Sequence, residues 1–139
     1  MTRKLLFSFA LLGIVFAVGC SGNLKLTGTV VFSDDDMPVP TGIVYFDSDK
    51  GRSVGPIMPD GTYTVSTTGD KDGIPRGKTF KVSVIAEETK EILDANGVTI
   101  GTQSTPLIDP KYGNPAASGL TFTSDGGMKT FPIKVDRAK

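Results

Sequence analysis

Apolar and polar side chains alternate along LKLTGTVVF, residues 24–32, and this stretch decides the predicted fold. Every second residue from Leu24 to Phe32 is apolar except Gly28, and the residues between them are mostly polar. An apolar–polar period of two that is sustained over such a stretch predicts a half-buried β-strand. The apolar side of this strand would face the core of the protein.

Further segments with strand character follow, separated by turn signals. Gly42–Phe46 is apolar on both faces, and Pro59-Asp60-Gly61 indicates a turn because proline presets φ and glycine accepts a positive φ. The other predicted strands are Ser53–Ile57, Thr62–Thr67, Lys78–Ala86, a strand with Leu120 and Phe122, and a strand with Phe131, Ile133 and Val135. The chain also contains 17 glycines and 9 prolines, which favour short strands over helices. We predict an all-β fold, a seven-stranded antiparallel β-sandwich over residues 24–136.

The N-terminal segment has the layout of a secretory signal peptide. Arg3 and Lys4 give a basic start, an apolar run extends from Leu5 to Phe16, and small residues precede Cys20. A transmembrane helix is the weaker alternative, because a span needs about 20 apolar residues. We therefore expect a signal peptide at residues 1–19 and a tether at residues 20–23.

Cys20 is the single cysteine of the chain, and its position resembles the acceptor cysteine of a bacterial lipobox. The resemblance implies cleavage between Gly19 and Cys20 and attachment of a diacylglycerol to the Cys20 sulfur. Ala17 departs from the pattern, which usually has a larger aliphatic residue there, and an ordinary secretory signal with a free Cys20 thiol is the alternative. The expected location is exported and lipid-anchored, at the cell membrane or the outer membrane. Ser21 favours the outer membrane by analogy.

The composition excludes several classes of function. The chain has no histidine and no cysteine beyond Cys20, so the usual zinc ligands, the histidine-dependent nucleophile systems and the commonest general base are missing. No basic stripe indicates nucleic-acid binding. Carboxylate pairs remain open by spacing alone, but each candidate lies in a turn-like context. We expect no enzymatic activity and no cofactor.

Residues 87–118 interrupt the strand pattern. Glu87–Ala95 favours two helical turns, which Asn96-Gly97 would end, and the remainder up to Pro115 has the character of an irregular connection. A connection of this length inside a compact domain is usually functional or mobile. We expect a long irregular insertion at residues 87–118.

Several segments occur in the order found in one known family: Leu26-Thr27-Gly28-Thr29-Val30, Val39–Phe46, Asp60-Gly61-Thr62-Tyr63 and Gly77–Val82. The chain resembles the carboxypeptidase regulatory-like domain, and its Pro110–Thr121 segment is similar to small lipoproteins of the planctomycete type. The resemblance implies a transthyretin-like (prealbumin-like) sandwich without a peptidase centre. Tyr63 would place its ring in the core and its hydroxyl on a backbone group. Two segments depart from the family pattern: Asp47–Gly51, where the family is glycine-rich, and Glu87–Gly101, which has the character of an insertion.

Carboxylates in the turns are candidate Ca²⁺ ligands, since Ca²⁺ takes six to eight hard oxygen ligands. Asp70 and Asp72, followed by Gly73, partly match a calcium loop but lack its closing glutamate. The alternative is that aspartates occur in turns because their side chains bond to the local backbone. The other candidates are Asp34, Asp35, Asp36, Asp47 and Asp49. We expect no metal site, with Asp70 and Asp72 as weak candidates.

Most aromatic residues fall on predicted strands, where core packing is the default. Tyr112 is the exception: it lies in the long connection, is expected to be partly exposed, and with Lys111 and Asn114 forms a possible ligand-binding set. The alternative for Tyr112 is a packing cap over one end of the sandwich.

These observations favour a non-catalytic, lipid-anchored β-sandwich of the cell envelope that acts as a structural or binding module. Its expected partners are the membrane, through Cys20, and an envelope protein or glycan. The alternative is a ligand-binding lipoprotein that captures a peptide, a glycan or Ca²⁺ through residues 87–118.

Overall fold

A computed structural model of the chain describes residues 22–67, 73–125, 127 and 129–139. The predicted signal peptide, the cleavage site at Gly19 and Cys20, and the calcium candidates Asp70 and Asp72 lie outside these residues. The described part is all-β, which confirms the predicted fold class. Its elements are β1 (Thr27–Phe32), β2 (Gly42–Ser48), β3 (Gly51–Ile57), β4 (Thr62–Thr64), β5 (Ser66–Thr67), β6 (Thr79–Ile85), β7 (Glu87–Leu93), β8 (Thr99–Pro106), a 3-10 helix (Pro110–Gly113), β9 (Leu120–Thr123) and β10 (Ile133–Val135).

The main sheet has the strand order β10-β1-β4-β3-β2-β6-β9, with β5 paired to β3. Its pairs are antiparallel except β1 and β10, which run parallel with Val30 beside Ile133 and Phe32 beside Val135. The sheet is therefore mixed, and the expectation of antiparallel pairing throughout is wrong at this edge. The cause is a connection from β9 that returns across the molecule and lies along β1, where the Phe131 N–H donates to the Thr27 carbonyl at 2.9 Å.

The main sheet curls around an aromatic cluster. Phe122 on β9 and Phe131, just before β10, belong to opposite ends of the strand order, yet their ring centroids are 5.1 Å apart. Phe46, at the middle of the order on β2, lies within 6.3 Å of four other rings. Aromatic side chains bury large apolar areas and favour these tilted and edge-to-face contacts. The cluster therefore holds the two ends of the sheet together.

The period-two pattern at residues 24–32 predicted the core face of β1 correctly. Leu24, Leu26 and Val30 are at most 2% exposed, and the buried hydrophobic residues lie between Leu24 and Val135. Burying one such side chain contributes about 1.5–3 kcal/mol. These residues, together with the other buried side chains, form the core of the described part of the chain.

The turn before β4 has the geometry that its sequence predicts. Gly61 has φ of +79° and donates to the Met58 carbonyl, while the Asp60 carboxylate accepts from the Thr62 N–H at 3.0 Å. The turn directs Tyr63 into the core, where its hydroxyl donates to the Phe131 carbonyl at 2.6 Å. Burial raises the pKa of the Tyr63 hydroxyl, so it remains a donor across the ordinary pH range. A side chain at Gly28 would collide with this hydroxyl and with the Phe131 carbonyl.

Residues 87–106 form an antiparallel hairpin of β7 and β8, so the expected helical turns and irregular connection are wrong for this part of the insertion. Helix-forming residues in β7 are overridden by pairing with β8, which is rich in threonine and reaches from Leu93↔Thr99 to Glu87↔Pro106. Beyond the hairpin, the chain returns to the core through Ile108 and the 3-10 helix.

The hairpin leaves the main sheet at the end opposite Gly22 and Asn23. Pairing through β4, β3 and β2 places Ile85, the last residue of β6, at the same end as Phe32, the last residue of β1. Gly22 and Asn23 precede β1 at the other end, beside the bridge between Leu24 and Ile74. Gly22 and Asn23 therefore lie at the opposite end of the sheet from the hairpin.

Candidate functional site

The β7–β8 hairpin is exposed to solvent on both faces. Every residue of β7 is exposed, and so is every residue of β8 except Gly101, which is half-buried. An isolated two-stranded hairpin is marginally stable in water at best. A hairpin with no core face suits contact with another surface more than it suits the folding of its own domain.

The turn at the far end of the hairpin is held by Asp94. Its carboxylate accepts from the Asn96 N–H at 2.8 Å and from the Val98 N–H at 2.9 Å, and the Gly97 N–H donates to the Asp94 carbonyl at 3.0 Å. The backbone donors, that of Val98 first and then that of Asn96, lower the pKa of the Asp94 carboxyl. Gly97 adopts a φ of +77°, which glycine accepts without strain. These bonds give the turn a defined geometry.

Four aliphatic side chains surround this turn and are called the hairpin tip: Ile92, Leu93, Val98 and Ile100. Their exposed fractions are 44%, 54%, 58% and 67%, so each presents a large apolar surface to water. Single exposed apolar residues are ordinary, but a contiguous apolar patch marks an interaction site. Four of the eight large hydrophobic side chains that are exposed in the described residues therefore lie around this one turn.

A small cavity of about 180 Å³ lies at the base of the same hairpin. Its lining is largely apolar and includes Ile85, Pro106, Ile108 and Gly113. Ile85 is 43% exposed, so the cavity is accessible from solvent. The base cavity and the hairpin tip are therefore two apolar surfaces at opposite ends of one hairpin.

The two hairpin strands differ in charge. β7 contains Glu87, Glu88, Lys90 and Glu91, whereas β8 contains no charged residue. Lys90 lies 3.6 Å from the Glu88 carboxylate, and both side chains are largely exposed. Any surface that approaches β8 meets a neutral edge, and one that approaches β7 meets mainly carboxylates.

The predicted ligand-binding set is engaged within the molecule. Tyr112 is only 8% exposed, so its expected partial exposure is wrong and the packing-cap alternative fits its position. Its hydroxyl donates to Asp136 Oδ2 at 3.1 Å, and Lys111 Nζ lies 2.6 Å from the same oxygen and 4.8 Å from the Tyr112 ring centroid. Asn114 Oδ1 accepts from the Ala116 N–H at 2.9 Å. These contacts attach the 3-10 helix to the strand that ends the core.

The contacts of Asp136 with Lys111 and Tyr112 should make the stability of the protein depend on pH. Hydrogen bonds from Lys111, then Ser33 and Tyr112, lower the pKa of its carboxyl to about 2. An unfolded aspartate has a pKa of about 3.9, so the stabilisation is present above that value and is lost as the pH falls through about 2. We expect the free energy of unfolding to fall between pH 4 and pH 2, and Asp136→Asn to flatten this part of the profile in denaturant titrations. Glu87→Gln, which removes an exposed hairpin carboxylate, should keep the wild-type slope; equal slopes for wild type and Asp136→Asn would contradict the assignment.

The predicted calcium carboxylates pair with basic side chains. Arg137 contacts Asp34 at 2.9 Å and Asp35 at 2.6 Å, and Lys134 contacts Asp36 at 2.6 Å. Asp47 pairs with Arg52 at 2.6 Å and Asp49 lies 3.4 Å from Lys78. Across residues 22–67, 73–125, 127 and 129–139, no three His, Cys, Asp or Glu side chains are grouped to hold a metal ion. These carboxylates thus form ion pairs, and the local backbone bonding that the turn alternative expects is seen at Asp35, which accepts from the Met37 N–H at 3.0 Å.

A basic cleft lies where the chain enters the domain. Lys25, Arg76 and Lys129 line it, together with Asn23, and Arg76 Nε donates to the Gly22 carbonyl at 3.2 Å. No acidic side chain of the described residues lines this cleft. The end of the domain beside Gly22 is therefore able to accept anionic groups. The spacing of residues along the sequence did not indicate this cleft, because its lining comes from three separate segments.

Comparisons with known proteins add little to this geometry. No family model matches the chain, and no curated protein matches it. Among solved structures, the chain is similar to a 9R-lipoxygenase from Cyanothece PCC8801, with a TM-score of 0.34 and 15% sequence identity. The match covers 80% of this chain and 16% of the lipoxygenase chain, and at this TM-score it bears on neither fold family nor activity. In the part of the chain that the structure describes, no helix has the length and apolar character of a membrane span.

Proposed function

We propose that the chain is a non-catalytic, lipid-anchored β-domain of the cell envelope that presents the β7–β8 hairpin to a protein partner. The hairpin carries this proposal: it is ordered by its own turn, exposed on both faces, and apolar at its tip. Because the hairpin and the tether leave opposite ends of the sheet, an anchored domain would hold the hairpin away from the membrane. A protein partner is favoured over a glycan because the tip is aliphatic and the chain has no tryptophan.

The proposed anchor is a lipidated Cys20 at the start of the mature chain. It is supported by the signal-like segment before Cys20 and by the basic cleft of Lys25, Arg76 and Lys129 beside Gly22. Each buried acyl CH₂ adds about 0.8 kcal/mol, so two or more chains retain a protein firmly on a membrane. Basic side chains near the anchor would add attraction to anionic headgroups.

We also propose that the domain belongs to the transthyretin-like sandwiches of the carboxypeptidase regulatory-like type. The turn at Asp60-Gly61 and the Tyr63 hydroxyl bond to the Phe131 carbonyl support this relationship. The parallel pair of β1 and β10 and the β7–β8 hairpin are the features by which this chain would differ from the family pattern. The proposal of no catalytic activity rests on the missing histidine and on the ion pairs that engage the turn carboxylates.

Substitution of Cys20 tests the anchor. In cells that process bacterial lipoproteins, we expect the wild-type chain to fractionate with membranes and Cys20→Ala to leave the membrane fraction, because the thioether acceptor is removed. Ser21→Ala is the matched control and should stay with membranes. Membrane retention of Cys20→Ala equal to that of the wild type would count against the anchor.

Photo-crosslinking from the hairpin tip tests the binding role. A photoreactive residue in place of Ile100, in the membrane-bound full chain, is expected to give a discrete protein adduct, since Ile100 is the most exposed aliphatic of the tip. The same residue in place of Lys81, an exposed position on β6, should give none. Absence of an adduct from Ile100, or the same adduct from both positions, would refute a hairpin-specific partner.

A further inference from the structure

We propose that the hairpin binds a second copy of this chain, through antiparallel pairing of β8 with β8 of the partner protomer. This inference rests on the proposed binding role of the hairpin, and it does not depend on the tether. The result would be a four-stranded sheet in the order β7-β8-β8-β7, with a two-fold axis at Gln103.

The β8 edge lacks the features that prevent such pairing. Protein sheets protect edge strands with charged residues, bulges, short length or a covering element. β8 is 8 residues long, carries no charge, and pairs only with β7 among the described residues. Its one proline, Pro106, is the last residue of the strand. The bulge lies near the turn, between the pair Ile92↔Gly101 and the pair Leu93↔Thr99. The stretch from Gly101 to Thr105 thus offers an open ladder edge.

The backbone direction of β8 restricts the register of the proposed pair to those that place outward-pointing residues opposite each other, and we propose the one centred on Gln103. The Leu107 N–H donates to the Ala86 carbonyl of the neighbouring strand segment at 2.9 Å. Backbone groups alternate in direction along an edge strand, so those of Thr102 and Ser104 point away from β7. Hydrogen bonds between Thr102 of one protomer and Ser104 of the other then place the two Gln103 residues opposite each other at the axis.

This register brings the two apolar ends of the hairpin together. With Gln103 at the axis, Gly101 of one protomer lies opposite Thr105 of the other, which brings the adjacent Ile100, at the bulge, beside Pro106 of the other protomer. Ile100 belongs to the hairpin tip, and Pro106 lines the base cavity. Each tip therefore meets the partner's cavity, and a two-fold axis makes both contacts at once. An interface of this kind must be self-complementary, and one hairpin supplies both halves.

The charge distribution favours β8 over β7 as the paired edge. Pairing through β7 would place glutamates of two copies on neighbouring strands, where like charges are destabilising. Pairing through β8 keeps the two β7 strands on the outside, three strand spacings or about 14 Å apart. The neutral strand is thus the one at which a second copy meets no repulsion.

Disulfide crosslinking in the full chain tests the register. Gln103→Cys places two thiols on a pair that is not hydrogen-bonded, with Cα atoms about 4.5 Å apart, within the span of about 4.4–6.8 Å that a disulfide bridges. We expect mild oxidation to convert Gln103→Cys to a covalent dimer. Lys90→Cys is the matched control: it pairs with Gln103 on the same hairpin face but would lie about 14 Å from its symmetry mate. The Lys90→Cys variant should give at least tenfold less dimer. The wild-type chain, whose single cysteine is Cys20, measures how much dimer forms without an added cysteine.

Thr102→Pro provides a second variant, because it removes an N–H that points away from β7 and keeps the bonds within the hairpin. Added to Gln103→Cys, it should lower the dimer yield at least tenfold while the far-ultraviolet circular dichroism stays unchanged. Dimer yields that are equal for Gln103→Cys and Lys90→Cys, or unaffected by Thr102→Pro, would overturn the proposal. An Ile100 adduct with a different protein and no Gln103 disulfide would overturn the second copy and leave the binding role intact, whereas absence of both products would overturn both.

Discussion

Phe46→Ala is expected to lower the free energy of unfolding by about 3–5 kcal/mol, the range for a fully buried phenylalanine. The side chain is 0% exposed and lies 6.0–6.3 Å from the rings of Tyr63, Phe80, Phe122 and Phe131. Its loss would remove the centre of the cluster that holds β9 and the approach to β10 together. Because the curled sheet encloses this position, the cavity cannot collapse without moving strands.

Urea denaturation of the wild type and the variant measures this effect. A loss of this size should lower the thermal midpoint by about 10 °C or more, since 1 kcal/mol corresponds to about 4 °C or more in a domain of this size. Tyr45→Ala is the control on the same strand: Tyr45 is half-buried and contacts Arg52 at 4.8 Å from its ring centroid. A cost for Phe46→Ala no greater than that for Tyr45→Ala would contradict the aromatic centre.

The sequence pattern predicted the core well because burial in a sheet is a local property. Alternate residues of a strand face the same side, so Leu24, Leu26 and Val30 could be assigned to the core from their spacing alone. The turn at Asp60-Gly61 was predictable for a similar reason, because its geometry depends on neighbouring residues and on the positive φ of Gly61. The position of this turn also indicated that the Tyr63 side chain faces the core.

The hairpin was missed because its residues carry two conflicting signals. Glu, Lys, Leu and Ala at residues 87–95 favour a helix by intrinsic propensity. Asn96-Gly97 between apolar residues is also a short-range hairpin signal, and Ile92, Leu93, Val98 and Ile100 supply those apolar residues. Pairing with the threonine-rich β8 decided between the two. The hairpin tip as a site could have been found by giving the Asn-Gly signal priority over helix propensity.

Other features depend on contacts far apart in the sequence. Tyr112 is buried because it packs in the hydrophobic core cluster, and its hydroxyl bonds to Asp136, which lies 24 residues away. The parallel pairing of β10 with β1 joins segments separated by about a hundred residues. The spacing of residues within each segment does not indicate which strand it pairs with or whether the pair runs parallel. The basic cleft likewise combines Lys25, Arg76 and Lys129 from three separate segments.

Replacement of the hairpin by a short turn separates folding from binding. The Leu107 N–H already bonds to the Ala86 carbonyl at 2.9 Å, so Asn-Gly in place of residues 87–106 would close the chain with a two-residue hairpin turn. No hairpin side chain belongs to the core, and we expect the free energy of unfolding to change by less than about 1 kcal/mol, in the range of surface substitutions. The proposed partner contacts of the hairpin should be lost completely.

The decisive measurement is a comparison of wild-type and hairpin-replaced full chains in membranes, by unfolding midpoint and by chemical crosslinking. The account predicts that the shortened chain unfolds cooperatively at nearly the wild-type midpoint and forms none of the crosslinked species that the wild type forms. A shortened chain that fails to fold, or that keeps those crosslinked species, would contradict a hairpin whose purpose is binding.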